Sequence, residues 1–582
     1  MDERYFEVLE RDGPARLGEL RLDEPRTTPA LVGDLLEDYG SLWTDDRAAP
    51  TGDTSSVTVL PHRAAPPGTP AEVIEEKQPG HDPHGFPTAA VVSAEQPTAS
   101  GHDVYVLTGV RGGNSRDIVE SVKRARRSLE PDSALFLPAS ATPRNVATLS
   151  YLGFDAFDED HAVVSGKGGT YMTRELEVPI EEIEGELPCA CPVCRDASPD
   201  ELTREEVSQH NANAVCAELA NVRDKVRNGR LRDYVEGQMR ASRWQVEAVR
   251  LLDGTDYAEE RAPVARRTEM TANSSESLDR AAVRRFARRV VERYRAPRDD
   301  VAVLLPCSAG KPYSTSRSHG EFRDGIRRRA HEVIITSPLG VVPRGLENVY
   351  PAAHYDTPVT GRWDRKEVEF VGGVLAEYLD NNPYGRVVAH IEKEGYGDIV
   401  ECAVEKADAD VEMEYTVEDG AHPTDESSLE ALKDTLHGEE GATRDEHDRA
   451  YVRATADYQF GRGAGGVVDG ARVEGRLPRL RVVRETDDAH LATLTPGYGT
   501  LAVSVEGARA FDAPRVEIDN FEPEGSVLAP GVVDADDGVR VGDEVLFQGP
   551  SAVGVGRARM RGDEMRRASR GVAVSVRHTS DA

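Results

Sequence analysis

The chain has no apolar run approaching the roughly 20 residues that span a bilayer. Its opening, Met1-Asp2-Glu3-Arg4, also lacks the basic and apolar regions of a signal peptide. Both absences predict a cytoplasmic protein. Cysteine is scarce: six in 582 residues, several of them clustered, cannot build a disulfide framework and favour metal or catalytic roles in a reducing compartment. Lysine is nearly absent, since Lys77, Lys123, Lys167, Lys225, Lys311, Lys366, Lys393, Lys406 and Lys433 are all there are, and arginine supplies the other positive charges. Aromatic residues make up 6% and the formal net charge is −33. Few aromatics with high net charge mark disorder in a short chain, yet apolar periodicity persists along the whole length here. The combination predicts a salt-adapted soluble protein of several domains.

What is present centres on one stretch. The apolar run Val301-Ala302-Val303-Leu304-Leu305 reads as a buried strand, and Pro306-Cys307-Ser308-Ala309-Gly310-Lys311-Pro312-Tyr313-Ser314-Thr315-Ser316-Arg317-Ser318-His319 follows it. A polar helix is expected to open near Glu321. A thiol, an amine, a phenol, hydroxyls and an imidazole therefore sit at the carboxyl end of a strand, where open α/β sheets place their ligands. Further strands at Val333–Thr336 and Arg386–Ile391, with a helix over Glu367–Leu379, predict a small doubly wound core. The polar segment from Ser337 to Asp356 is a long loop of the kind that carries function.

Cys189-Ala190-Cys191-Pro192-Val193-Cys194 is the clearest metal signal, because Zn²⁺ takes four N/S ligands in a tetrahedron. His210 is the expected fourth ligand and Cys216 its rival. Such a closed site is structural: it folds its subdomain. Cys402, inside an apolar stretch, reads as a core thiol. Residues 265–277 read as a linker and 422–449 as an acidic linker or weak helix, as does most of 44–103 as loop. The helix expected over Leu278–Arg295 buries Val283, Phe286, Val290 and Tyr294 and carries arginines elsewhere, among them Arg284 and Arg288. That cluster reads either as a phosphate contact or as a solvated basic face.

Several motifs resemble known families. Leu152 to Asp158, Gly169 to Thr173, Arg11-Asp12-Gly13 and Thr28-Pro29-Ala30-Leu31 resemble archaeal tRNA-guanine transglycosylases, with Asp158 where that family carries its nucleophilic carboxylate. The middle of the barrel is largely missing and the second active-site carboxylate has no match, so a degenerate TIM-barrel-like domain is expected over 1–185. The likeness continues through the zinc-binding helical subdomain, 186–262, in His210-Asn211, Ala217-Glu218-Leu219 and Arg227 to Leu231. Tyr458 to Ala464 and Thr495 to Leu501 resemble the family's small α+β domain, taken as 445–510. Leu528 to Asp536, Val541 to Val545, Val553 to Ala558 and Arg570 to Val574 resemble a PUA β-barrel, taken as 511–582, and that resemblance implies RNA contacts at Gly531, Gly542 and Arg557.

Pro306-Cys307, Lys311-Pro312-Tyr313, Ser316 and His319 together resemble the signature of the archaeosine synthase family, on an α/β core taken as 278–420. The resemblance implies a transferase acting on tRNA whose D-loop carries 7-cyano-7-deazaguanine (preQ0), with lysine, or glutamine or ammonia nitrogen, adding to the nitrile. It also implies a radical-SAM lyase partner that releases archaeosine. Cys307 is the expected nucleophile, Lys311 or His319 the group that lowers its pKa or moves protons, and Tyr313 and Ser316 complete the loop. His319, Glu347 and Asp356 are candidates for the base or for holding the amine. Direct amine addition, a working transglycosylase and a non-catalytic tRNA-binding scaffold are the alternatives.

Overall fold

The computed structural model describes residues 4–38, 52–62, 69–70, 72–73, 85–110, 114–409 and 411–581. Met1-Asp2-Glu3, Lys77 and much of the loop expected between 44 and 84 lie outside the described residues. The chain forms two compact units: Met1–Ala262 with Leu528–Pro530 and Glu564–Val572, and Pro263–Val527 with Gly531–Asp563 and Ala573–Ala582.

The first unit opens on the hairpin β1 (Phe6–Asp12) and β2 (Ala15–Leu20), to which β3 (Arg26–Thr28) is added. Next comes a seven-stranded, all-parallel, curled half-barrel. Its strands are β4 (Ala30–Leu31), β5 (Leu36–Asp38), β6 (Val57–Val59), β7 (Thr88–Ser93), β8 (Val104–Thr108), β9 (Ala134–Leu137) and β10 (Ala156–Phe157), in the order β4-β10-β9-β8-β7-β6-β5. The barrel does not close, because β4 and β5 remain its two edges. Both faces of the sheet are covered, which is why β8 and β9 read as unbroken apolar runs. Val104, Ala134 and Phe136 face the β1–β3 side with Phe6, Val8 and Leu20. Tyr105, Leu135 and Leu137 pack under α1 (Ser115–Ser128) and α2 (Val146–Leu152). The stretch expected to be mostly loop thus holds β6 and β7: each is short, and β7 (TAAVVS) carries too little bulk to stand out.

After α3 (Asp160–Lys167), the hairpin β11 (Thr170–Met172) and β12 (Glu177–Pro179) leads to the cysteine cluster and to α4 (Arg204–Arg227). Thr203 and Glu206 form a capping box that fixes where α4 starts. Helices α5 (Leu231–Gln238), α6 (Arg243–Asp253) and α7 (Asp256–Arg261) complete the unit.

The second unit contains the expected doubly wound core. Strands β14 (Val301–Pro306), β15 (His331–Thr336), β16 (Gly340–Pro343), β18 (Arg386–Ala389) and β19 (Met413–Tyr415) form one sheet in the order β16-β15-β14-β18-β19. All its pairs are parallel except β15 with β16. Helices α8 (Ala281–Glu292), α9 (Arg317–Ile326), α10 (Arg365–Asn381), α11 (Tyr396–Lys406) and α12 (Glu426–Thr435) cover it. From β14 the chain winds first to β15 and then back to β18 on the other side, so the end of β14 is a topological switch point.

One expectation about a connection is corrected, and for a second the helical alternative holds. The segment expected as a linker at 265–277 contains β13 (Met270–Thr271), which pairs with β17 (Tyr355–Asp356) and is fastened by Met270 N–H to His354 O and Ala272 N–H to Asp356 O. The segment at 422–449 holds α12 and the start of α13 (Arg444–Phe460), the latter opened by a capping box between Thr443 and Glu446. A four-stranded antiparallel sheet over Ala471–Val503 and a six-stranded sheet built from Arg515 onward follow. No described helix is long and apolar enough to cross a membrane.

Candidate functional site

Cys307 is the first residue beyond β14 and is half-buried. Its backbone N–H donates to the Tyr396 hydroxyl at 3.2 Å, and its Sγ lies 3.2 Å from the same oxygen. Burial pushes the thiol pKa up, while Tyr396, Thr336 and Lys311 pull it down. The site therefore rests as a thiol with thiolate-stabilising groups already in place. The Lys311 ammonium sits 4.0 Å from the Tyr355 ring centroid. Burial lowers its pKa, against the pull of Cys307, Asp356 and Glu269, so a larger share of Lys311 is the neutral amine than in water.

The other loop residues form the floor beneath this pair. The Tyr313 hydroxyl lies 2.5 Å from that of Tyr355, which lies 2.5 Å from Thr336 Oγ1. Ser316 caps α9, its Oγ accepting from His319 N–H at 3.3 Å. His319 is fully buried, and its Nδ1 accepts from Arg344 at 2.9 Å. Burial first, and then the Arg344 charge, hold its pKa down at about 3. It is therefore a neutral imidazole near pH 7 and supplies no cation to the thiol. Arg344 also donates at 2.8 Å to Glu332 and at 2.8 Å to Glu347, whose carboxylate accepts from Ser314 N–H at 2.8 Å. Glu347 is thus a buried anchor of the loop. Asp356 is exposed on β17 and biases Lys311 electrostatically.

The structure brings Cys307 and Lys311 together and places His319 and Glu347 in the node behind them. Sequence reasoning missed Tyr396, Thr336, Arg344 and Glu269. No local spacing announces them: Tyr396 follows a different strand 89 residues on, and Thr336 looks like one more β-branched strand residue.

In the first unit, one ligand atom each from Cys189, Cys191, Cys194 and His210 lies within 4.8 Å of the others. His210 Nδ1 is 3.2 Å from Cys194 Sγ and 3.6 Å from Cys191 Sγ, while its Nε2 faces Met172 O at 2.8 Å. That carbonyl can only accept, so Nε2 carries the hydrogen and Nδ1 presents a lone pair to the sulfurs, the arrangement metal-binding histidines use. Tyr171 stacks on the ring at 3.8 Å. The Cys₃His group can hold a metal ion, and Cys216, exposed elsewhere on α4, is not part of it. Asp158 accepts from Ala139 N–H at 2.9 and 2.8 Å and from Asp160 N–H at 3.3 Å, and burial raises its pKa.

The basic helix divides. Arg284 pairs with Asp279 and lies 4.7 Å from the Phe370 centroid; with Arg288, Lys366 and Glu369 it lines a groove of about 590 Å³. Arg285 is buried instead, and Arg289 and Arg293 lie against Tyr458. Arg557 sits 3.9 Å from the Tyr498 centroid, with Arg267 4.6 Å from it. Gly542 has φ +97°, a conformation that favours glycine, and a Cβ at Gly531 would meet the Phe521 ring at 2.6 Å.

Four family models match the chain: Queuine tRNA-ribosyltransferase at 86–243, a domain of unknown function (DUF5591) at 283–436, the patch-forming domain C2 of tRNA-guanine transglycosylase at 450–513, and the PUA domain at 515–579. They define a relative of the tRNA-guanine transglycosylases that carries an extra α/β domain and a PUA domain. An archaeosine synthase of Haloferax volcanii is 47% identical over 99% of both chains, and an archaeosine synthase subunit alpha of Methanosarcina acetivorans is 40% identical over 99% of both. A tRNA-guanine(15) transglycosylase of Methanothermobacter thermautotrophicus is 28% identical over 79% of this chain and 68% of its own. The chain belongs to the archaeosine synthase family. The switch-point loop lies within the domain of unknown function.

Proposed function

We propose that this protein is a tRNA-modifying transferase of archaeosine biosynthesis that adds an amine to the nitrile of preQ0 in the D-loop of tRNA. The observation that carries the reading is Cys307 at the end of β14, its sulfur against a phenol and under the field of a lysine whose ammonium form burial disfavours. A thiolate adds to a nitrile carbon more readily than other side chains do. Lys311 takes the thiol proton, the sulfur bonds to the nitrile carbon as one C–N π bond opens, and Lys311 returns the proton to nitrogen, giving a thioimidate. The donor amine then attacks that carbon, the C–S bond breaks, and an amine proton returns to sulfur. The net change is addition of an amine N–H across the C≡N bond, with no oxidant or reductant.

Lysine, or glutamine or ammonia nitrogen, supplies the amine, and exposed Asp356 and Glu269 beside Lys311 are the groups to receive a cationic donor. A separate radical-SAM lyase completes the sequence. Residues Cys189, Cys191, Cys194 and His210 hold a structural Zn²⁺, whose full complement of protein ligands serves folding. Arg284, Arg288 and Arg557 contact RNA. At the high salt that so acidic a chain implies, the Debye length is about 3 Å and counterion release contributes less, so binding leans on shape and 2′-OH contacts. Tyr313, Ser316 and His319 position the loop, and Gly531 and Gly542 shape the PUA backbone. The half-barrel offers little for base exchange: Asp158 is committed to backbone N–H groups.

Purified protein incubated with preQ0-bearing tRNA and lysine, glutamine or ammonium in turn is expected to yield a nucleoside heavier by one donor. Cys307→Ala is expected to give none. An adduct from Cys307→Ala at the wild-type rate removes the covalent route, and no adduct from wild type with any donor removes the enzyme reading.

A further inference from the structure

We propose that Tyr396 is a catalytic residue of this site, the phenol that donates its hydrogen to the Cys307 sulfur as thiolate. The inference rests on the reading of Cys307 as nucleophile and adds a residue that no motif contains. A hydroxyl has one hydrogen and two lone pairs. The Cys307 N–H can only donate, so at 3.2 Å the phenol oxygen accepts from it. Once Cys307 is a thiolate its Sγ can only accept, so the phenol's single hydrogen goes to the sulfur, also at 3.2 Å. One oxygen thus fixes the backbone of the nucleophile and solvates its charge.

The position is built. Tyr396 opens α11 and is buried, its ring edge-on to Trp363 at 5.3 Å. Gly395 before it has φ +85°, and a Cβ there would meet Gly361 O at 2.0 Å, so only glycine brings the chain into the helix at this point. Burial holds the phenol pKa well above its ordinary value, so Tyr396 stays a donor through the range in which Cys307 ionises. Donation helps at both thiolate stages: while sulfur attacks the nitrile carbon, and when sulfur leaves as the amine displaces it. No net proton is consumed, because the O–H bond is polarised and not broken.

The test needs no tRNA. Iodoacetamide alkylation of the full-length protein in molar KCl is followed against pH, with the labelled cysteine resolved by peptide mass spectrometry. Tyr396→Phe keeps the ring and is expected to raise the Cys307 midpoint by about one pH unit, equivalent to about ten-fold slower alkylation below the midpoint. Exposed Cys216 is the internal control and keeps its profile. Placing 3-fluorotyrosine at 396, a stronger donor of nearly the same shape, is expected to lower the midpoint. Unchanged Cys307 profiles in both proteins overturn the assignment. Failure of Cys307→Ala to abolish adduct formation overturns the nucleophile instead, so the two readings fail separately.

Discussion

Acid is expected to unfold the α/β core before it damages the chemistry. Three of its histidines are buried as neutral rings. His319 accepts from Arg344, His331 lies 2.7 Å from both Tyr294 and Tyr384 hydroxyls, and His390 sits between Thr416 Oγ1 and Pro423 O at 2.8 Å each. Burial is the main cause in each, and it depresses the pKa from 6.5 to about 3 for His319 and His331 and to about 4 for His390. A depressed pKa means the fold prefers the neutral form, so this stability is fully present above 6.5 and drains as pH falls toward the folded-state values. Each ring loses about 1.4 kcal/mol per pH unit in that window, so at pH 5 the loss is about 2 kcal/mol per ring and about 6 for three. That is comparable to the whole stability of many domains. Urea unfolding at fixed molar KCl between pH 7 and 4.5 measures it, followed by Trp363 fluorescence with Trp43 and Trp244 replaced by Phe. Carboxylate protonation also acts in this range, so His331→Gln isolates one ring. The variant starts less stable at pH 7, and its deficit should shrink by about 1.4 kcal/mol per unit as pH falls. Parallel curves for the two proteins would show that His331 is not held neutral by the fold and would refute the reasoning.

Arg344→Met leaves the buried Glu332 and Glu347 carboxylates without their cation and is expected to destabilise the same core by about 3–5 kcal/mol; a urea-derived loss under 1 kcal/mol contradicts the network. Combining it with Glu332→Gln should recover part of the loss, a coupling of about 0.5–3 kcal/mol read from the double-mutant cycle. Elemental analysis should find one zinc per chain, lost in Cys194→Ser and kept in Cys216→Ser; retention of zinc in Cys194→Ser places the ion elsewhere.

The apolar strand before Cys307 announces its place because β14 is central in its sheet and buried on both sides, so hydrophobicity alone marks it. The Cys₃His group that could hold a metal is legible for a related reason: three of its members fall within six residues, and a helix presents the fourth. The two connections are hard to read in the sequence for different reasons. Met270-Thr271 is too short for any period to show, and it is a strand only because Tyr355-Asp356 lies beside it. Helix α12 buries Ser428 and Leu432 alone, so its charged composition leaves linker and weak helix undecided. The basic helix carries a third lesson. Arginine count alone cannot separate Arg284, which faces a groove, from Arg285, which is buried with its NH1 donating to Pro263 O at 3.1 Å.

The same limit applies inside the signature loop, where residue type suggested more chemistry than position allows. Cys307 and Lys311 are the members whose polar atoms face one another's field. Tyr313 is hydrogen-bonded to Tyr355 and through it linked to Thr336, Ser316 spends its oxygen on a helix cap, and His319 turns its lone pair to Arg344. A histidine next to a catalytic cysteine invites the role of base, but an imidazole that accepts from a guanidinium has no lone pair left to take the thiol proton. On the proposed route proton movement therefore falls to Lys311, whose ammonium form burial disfavours, and charge stabilisation to Tyr396, which no spacing in the loop reveals. On that route the loop is half reagent and half scaffold, and its reagent half is completed from a helix that begins 89 residues later.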